Sequence, residues 1–146
     1  MPTADWDSAN TALYSLLLNN LTGTGKRITS VSDWPNPKPA GYPHAYPVPL
    51  SSTEEDYDTD NQKKIMGFML RVEYPDTVDR TSHLNMLKTA DDLEDEVRKA
   101  THATLDGTAH KFNVSSRGTW GRTGEGTTAL IVYDLEVSVE VLKKIS

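Results

Sequence analysis

Histidines are the residues of this sequence best suited to bind a metal ion or to transfer a proton. No two of them stand in an H-x-x-x-H pair, and none has the glutamate neighbour of the zinc-hydrolase pattern. A triad assembled in space from histidines and carboxylates would leave no mark in the spacing, so the sequence neither supports nor tests one. We therefore predict no catalytic residues, no metal site and no cofactor. The four histidines are His44, His83, His102 and His110.

Two short stretches resemble ligand-binding loops but lack required residues. In and just before "LTGTGKRI", Asn20 occupies the position of the first glycine of a phosphate loop, and Arg27 occupies the position of its Ser or Thr. "DYDTDNQKKIMG" spaces its aspartates as a calcium loop does, but Asn61 and Gly67 occupy the positions of the required Gly and Glu. We interpret the first as a turn that ends a helix and the second as a solvated acidic loop.

The glycine-rich stretch "RGTWGRTGEG" favours contact with a partner. Arg117, Trp120 and Arg122 are of the types that anchor interfaces. The four glycines would make a hairpin tip at residues 115–126 pliable. In the alternative, Trp120 folds back on its own sheet. A further alternative is nucleic-acid contact through two arginines and a stacking tryptophan.

Two amphipathic helices are predicted from spacings of three and four residues. The first, capped by Asp5 or Ser8, carries Leu13 and Leu17 in its apolar stripe. The second, capped by Thr81 or Ser82, has a longer stripe. Its members are Leu84, Leu87, Ala90, Leu93, Val97 and Ala100.

Strands are predicted where apolar residues alternate. Residues 64–74 form a buried strand, and residues 129–141 form a strand that would extend roughly 43 Å at about 3.3 Å per residue. "KFNVSSRG" pairs with the latter in a long β-hairpin. The core is expected to contain Leu13, Leu17, Phe68, Leu70, Leu87, Val97, Ile131 and Tyr133.

Residues 34–60 are predicted to form an extended arm or loop. Six prolines between Pro35 and Pro49 exclude a helix and a central strand, and an acidic tip follows. The arm would reach beyond its own subunit. Its candidate partner contacts are Trp34, Tyr42, Tyr46, Glu54, Glu55, Asp56 and Asp58.

Length and composition indicate one domain, residues 1–146, of the α+β class. We expect a mostly antiparallel sheet with both helices on one face. Cysteine is absent, which excludes disulfides and thiolate metal sites. No segment is apolar enough to span a membrane, and the acidic N-terminus is unlike a signal peptide. The net charge of -6 argues against broad coating of nucleic acid.

Nearly the whole chain resembles the tail terminator proteins of long-tailed bacteriophages. The similar parts are "TALYSLLLNNL", "SVSDWPNPKPAGYPHAYPVPLSSTEEDYD", "KKIMGFMLRVEYP", "HLNMLKTADDLEDEVRKATHA", the glycine-rich hairpin and "YDLEVSVEV". The resemblance lies in the order of elements and their local texture, and no single motif is diagnostic. It is shared with neck and tail-completion proteins of the same fold.

The resemblance implies a structural virion protein, made in the host cytoplasm, that forms a hexameric ring in the tail or neck. Such a ring caps the tail tube, ends its polymerisation and joins the tail to the head connector. Its partners would be other copies of itself, the tail tube protein and the connector, with genomic DNA passing through an acidic lumen. The long closing strand would then form part of an intersubunit wall, or else curl around its own helices. The alternative is a protein of a different functional class, a small non-catalytic binding module that docks a basic partner on the acidic, proline-rich arm.

Overall fold

The computed structural model describes residues 5–56, 58, 60–76, 79–124 and 129–144, without the side chains of residues 100, 115–117 and 143–144. Its two helices are α1 (Trp6–Leu21) and α2 (Arg80–Val97), and a 3-10 turn follows at Ala100–His102. The Asp5 carboxylate caps α1 by accepting from the amide of Ser8 at 2.8 Å. Asp79, and not Thr81 or Ser82, caps α2. An aspartate oxygen satisfies the free amides of the first turn, which fixes where each helix begins.

Five strands form one mixed sheet in the order β1-β2-β3-β5-β4, so the described chain is an α+β fold. Only the β1–β2 pair is parallel, and the other three pairs are antiparallel. The strands are β1 (Ser30–Val31), β2 (His44–Asp56), β3 (Asn61–Pro75), β4 (Lys111–Thr123) and β5 (Leu130–Lys144).

The long closing strand is matched in length by its neighbour. All fifteen residues of β5 pair with β3, from Leu130 opposite Pro75 to Lys144 opposite Asn61. Its core-facing residues from Tyr133 to Val141 are buried within the same chain. All of β5 is therefore paired within one subunit, so its length does not by itself require contact with a neighbouring subunit.

The core lies between the two helices and one face of the sheet. Phe68 and Leu70 of β3 are fully buried and stand opposite Val137 and Leu135 of β5. Most of the predicted core is confirmed as buried: Leu13, Leu17, Phe68, Leu70, Val97 and Tyr133. Ile131 is only partly buried, because it lies near the end of β5 beside the rim of α2.

The predicted position of Leu87 in the core is wrong, because its side chain is 39% exposed. Helix α2 turns Met86 and Thr89 inward instead. Thr89 can be buried because its hydroxyl donates to the Asn85 carbonyl at 2.8 Å. A stripe chosen from apolar residues alone overlooks a threonine whose hydroxyl is bonded within its own helix.

The predicted extended arm or loop over residues 34–60 is only partly correct, because residues 34–43 form no helix or strand but β2 places residues 44–56 inside the sheet. The prolines are accommodated because β2 lies next to the very short β1 and has no strand partner on that side beyond Ala45. Pro47 and Pro49 occupy alternate positions, so both of their nitrogens face the same edge. A one-residue β-bulge follows, between Pro49 and Ser52.

The glycine-rich stretch is mostly strand and only partly tip, which corrects the predicted tip at 115–126. Gly118 to Thr123 pair with Leu135 to Leu130 of β5. A register shift between Val114 and Gly118 lets the pairing continue past the irregular segment. Gly124, with φ of +78°, begins the turn, and residues 125–128 lie outside the described part of the chain.

Replacing His44 by Gln is expected to remove a pH dependence of stability. His44 is buried between the hydroxyls of Ser30, 2.6 Å from Nδ1, and Ser32, 3.1 Å from Nε2. Burial holds its pKa below the ordinary value of 6.5, although Glu73 partly opposes that shift. The unfolded chain therefore takes up the proton first, and the free energy of unfolding falls as the pH drops from 6.5 to the folded pKa.

Urea unfolding across this pH range measures the effect as the difference between wild type and His44→Gln. His83→Gln is the matched control, because His83 is exposed. If wild type and His44→Gln lose stability in parallel below pH 6.5, this account of His44 is incorrect.

Candidate interaction surfaces

An apolar groove lies at the β2 edge of the sheet, and we call it the edge groove. Trp6 forms its floor with Phe68, with ring centroids 5.2 Å apart. Trp34 and Leu50 stand at its margins, 53% and 43% exposed. The cavity measures about 590 Å³. Its lining is Trp6, Asp7, Asn10, Asp33, Trp34, Pro35, Pro47, Pro49, Leu50 and Phe68.

The groove is suited to side-chain contacts and not to strand addition. Pro47 and Pro49 have no amide hydrogen to offer an incoming strand. Exposed tryptophan and leucine beside a cavity are instead the features of a protein-binding surface. Asp7 and Asp33 are the charged residues in its lining, and both are exposed.

A second apolar surface lies toward the β4 edge, and we call it the hairpin patch. It consists of His83, Met86, Leu87, Trp120 and Ile131 around a cavity of about 280 Å³. The Trp120 ring rests on Tyr133, with centroids 4.8 Å apart, yet the side chain remains 43% exposed. Trp120 therefore packs on its own sheet, as the alternative interpretation expects, while contact of its exposed face with a partner stays a prediction.

The arginines of this stretch are placed differently from each other. Arg122 extends from β4 to Asp76 in a 2.7 Å ion pair and stays 65% exposed. Arg117 lies in β4, and its side chain is outside the described part of the structure. Arg122 is therefore at the hairpin patch, ordered by Asp76 and accessible.

The acidic candidates Glu54, Glu55 and Asp56 are exposed on the outer half of β2. Across the β2–β3 hairpin, Lys64 stands opposite Glu54 and Lys63 opposite Glu55, with 3.6 Å between the charged atoms of the latter pair. These lysines offset part of the negative charge that the sequence alone suggests.

Asp58 shapes the turn that follows β2. Its carboxylate accepts from the amides of Asp60 and Asn61, both at 2.8 Å. These amide bonds, that of Asp60 first, lower the pKa of Asp58. The aspartate is thus used to close the hairpin, as expected of a solvated acidic loop.

The two candidate tyrosines have opposite environments. Tyr42 is 36% exposed, just before Pro43. Tyr46 is buried, and its hydroxyl donates to Glu73. Burial first, and this bond second, raise the pKa of Tyr46 to about 12. Tyr46 is therefore a structural residue within the chain and offers no surface to a partner.

Three polar clusters were missed by sequence reasoning because their side chains meet only in the folded chain, two of them across 63 and 39 residues of sequence. Arg71 donates twice to Asp134 across β3 and β5, at 2.7 and 3.0 Å. Tyr133 donates to Glu94 of α2. Glu96 is buried, although the "DDLEDE" run suggests a solvated face, because His102 Nε2 at 2.6 Å and Lys99 Nζ at 3.0 Å satisfy it. Burial alone would raise the pKa of Glu96, but these two partners outweigh it and the pKa is lowered.

A third cavity, of about 650 Å³, lies between the outer side of α1 and the loop at 101–108. Ser8, Thr11, Ser15 and Asn19 line it from the helix. His102 and Asp106 also line it, and His102 Nε2 is held by Glu96 at 2.6 Å. Within the described residues, no three histidine or carboxylate side chains lie close enough to hold a metal ion.

Gly118→Ala is expected to destabilise the protein by about 1–3 kcal/mol. A Cβ at this position would lie 1.9 Å from Tyr133 Oη and 2.5 Å from Cζ. The Tyr133 ring would have to leave Glu94 and Trp120. Gly121→Ala is the matched control, because its Cβ would meet Val132 Cγ2 at an ordinary 3.4 Å. Equal losses of unfolding free energy in the two variants, measured in urea, would contradict this explanation.

A scan against models of known protein families and a search of curated proteins found no match to this chain. Neither helix among the described residues has the length and apolar character needed to cross a bilayer.

Proposed function

We propose that this protein is a structural component of a bacteriophage virion that assembles into a ring, caps the tail tube and joins the tail to the head connector. A hexamer is the assembly that the sequence resemblance implies. In this proposal the ring stops addition of tube subunits, and genomic DNA passes through its lumen without specific binding. The protein acts by contact and catalyses no reaction.

One observation carries the proposal: the edge groove and the hairpin patch are two unlike apolar surfaces on one small chain. A closed ring needs heterologous contacts, in which two different surfaces of each subunit meet. From Pro49 on β2 to Trp120 on β4 the surfaces are three strand spacings apart, about 14 Å, and four residues apart along the strands, about 13 Å. Separate positions on one subunit are what a head-to-tail ring requires.

The antiparallel β2–β3 and β4–β5 hairpins give such a ring its candidate contacts with the tube and connector. The exposed candidates among the aromatic and basic residues described are Trp34, Tyr42, Trp120 and Arg122. A related neck or tail-completion role uses the same fold and surfaces. It would place the protein elsewhere along the neck.

The binding-module alternative is less well supported. It relies on a free, strongly acidic arm, whereas the segment is a strand whose acids face Lys63 and Lys64. The charge available for a basic partner is correspondingly smaller. The ring proposal depends instead on the two apolar surfaces.

Electron microscopy of phage tails made with and without the protein tests the function. Without it we expect tails of irregular length that fail to join heads, and with it tails of uniform length. Light scattering of the purified protein should show a mass near six times 16.2 kDa. Normal, head-joined tails in the absence of the protein would refute the proposal.

A further inference from the structure

We infer that Ser32 is an activated serine, which accepts an acyl group from a neutral ester with His44 as the general base. One acyl group is transferred to each chain, so Ser32 is a site of covalent modification and not a centre of turnover. Neither residue lines the edge groove or the hairpin patch. The chemistry therefore goes beyond the proposed role in the tail and does not depend on ring formation.

Ser32 and His44 meet because β1 pairs with β2 in parallel register. Ser30 stands opposite His44, and Val31 stands opposite Ala45. Ser32 follows directly, and its amide donates to the Ala45 carbonyl at 3.0 Å. Since side chains alternate along a strand, those of Ser30 and Ser32 both lie on the face that carries the imidazole. The ring is therefore flanked by two hydroxyls, 2.6 Å from Nδ1 and 3.1 Å from Nε2.

The tautomer of His44 follows from the hydrogen bonds of Ser30. The Ser30 hydroxyl donates to the Gly41 carbonyl at 2.7 Å, and a carbonyl oxygen can only accept. A hydroxyl has a single hydrogen, so toward the imidazole the Ser30 oxygen must accept, and Nδ1 must carry a hydrogen. In a neutral imidazole Nε2 then has the free electron pair. The Ser32 hydroxyl, 3.1 Å away, is therefore the donor to Nε2.

The surroundings of His44 suit a general base. The side chain is 1% exposed, and burial holds its pKa below 6.5, although Glu73 partly opposes that shift. The imidazole is thus neutral at neutral pH and free to take up a proton. Glu73 stands opposite His44 on β3, where its negative charge would stabilise the imidazolium that forms during the reaction.

Ser32 is the accessible member of this group. It is partly exposed, whereas His44 is buried. The next amide along the chain, that of Asp33, has no hydrogen-bond partner among the described residues. It is available to donate to the oxygen that becomes negative in a tetrahedral intermediate. A nucleophile bonded to a base, with a third group orienting the base, is the arrangement that activates serine for acylation.

The reaction is an acyl transfer from the ester to Ser32. Ser32 Oγ bonds to the carbonyl carbon while its proton passes to His44 Nε2. The bond between that carbon and the alcohol oxygen then breaks, and Nε2 returns the proton to the departing alcohol. The products are an ester of Ser32 and a free alcohol, so no oxidant, metal ion or further reactant is needed.

A neutral ester is favoured over an anionic acyl donor. Asp33 adjoins Ser32 in the chain, and Glu73 stands opposite His44, so two carboxylates adjoin the reacting pair. The next cation along β3, Arg71, is already paired with Asp134 at 2.7 Å. An acyl phosphate or a similar anion would be repelled, whereas an uncharged ester would not.

Treatment of the purified full-length chain with p-nitrophenyl acetate, a neutral ester, tests the site. Mass spectrometry of peptides shows which residues have gained an acetyl group. We expect acetylation of Ser32 in the wild type to be at least about tenfold faster than that of Ser52. Ser52 is the matched serine, because it is exposed on β2 and stands opposite Met66 and not a histidine.

Three substitutions separate the roles of the base and of the orienting hydroxyl. His44→Gln keeps a donor and an acceptor between the serines but has no basic nitrogen, so acetylation of Ser32 should slow about a hundredfold. Ser30→Ala frees the imidazole to adopt the wrong tautomer and should slow acetylation at least about tenfold. Ser30→Thr keeps the hydroxyl and should restore the rate. Ser52→Ala, the control variant, should leave acetylation of Ser32 unchanged.

Circular dichroism and urea unfolding establish which variants are folded. Acetylation of wild-type Ser32 that is no faster than that of Ser52 would overturn the inference, and this comparison needs no variant. An unchanged rate in folded His44→Gln would remove His44 as the base. Equal rates in folded Ser30→Ala and Ser30→Thr would show that the Ser30 hydroxyl does not set the tautomer, and would overturn the arrangement inferred here.

Discussion

Leu70→Ala lowers the free energy of unfolding by about 2–5 kcal/mol in the result we expect. Leu70 is fully buried in the middle of β3, where it stands between Pro47 of β2 and Leu135 of β5. Removing its branched end deletes apolar contacts and leaves a cavity that strands paired on both sides are poorly able to fill. Urea unfolding followed by tryptophan fluorescence measures the change.

Leu18→Ala is the control for this experiment, since it deletes the same atoms from an exposed position on α1. We expect a change within about 0.5 kcal/mol for the control. A loss below about 0.5 kcal/mol for Leu70→Ala would show that β3 is not the centre of the core.

The second large effect is expected for the double variant with Trp120→Ala and Arg122→Ala. We expect assembly on the tail tube to weaken by about 2 kcal/mol or more, because tryptophan and arginine are frequent interface anchors. Trp120 packs on Tyr133, so we also expect a modest loss of stability, about 1 kcal/mol, from the aromatic pair. If the hairpin patch binds the next subunit, ring formation decreases together with capping.

Arg122→Ala alone separates the two effects. Its exposed ion pair with Asp76 contributes at most about 1 kcal/mol to stability. Thermal unfolding and co-assembly with tube protein are measured on the same preparations. A stable double variant that still caps tails of normal length would eliminate the hairpin patch as a functional surface. A grossly unfolded one would assign Trp120 to the core.

Particular elements show how much of the fold can be predicted from the sequence. Alternation at residues 64–74 and 129–141 predicts β3 and β5, because a half-buried strand imposes a period of two on its own residues. The helices follow from a period near 3.6, although the Asp79 cap of α2 was not predicted. Core positions such as Phe68 and Tyr133 are predictable for the same reason, because the buried positions of one strand are occupied by apolar residues.

Other features depend on residues that are distant in the chain. The proline-rich segment becomes β2 because β1 pairs with it only at its start and leaves the proline edge free, a relation that no local pattern contains. Glu96 is buried because the turn after α2 brings His102 to it. Glu54 lies opposite Lys64 because the register of the β2–β3 pair places it there. Sequence alone predicted the two helices and the long strands. Only the tertiary structure, by setting register and helix rotation, placed Leu87 beside Trp120 and Trp34 beside Leu50, and so created two surfaces that could meet.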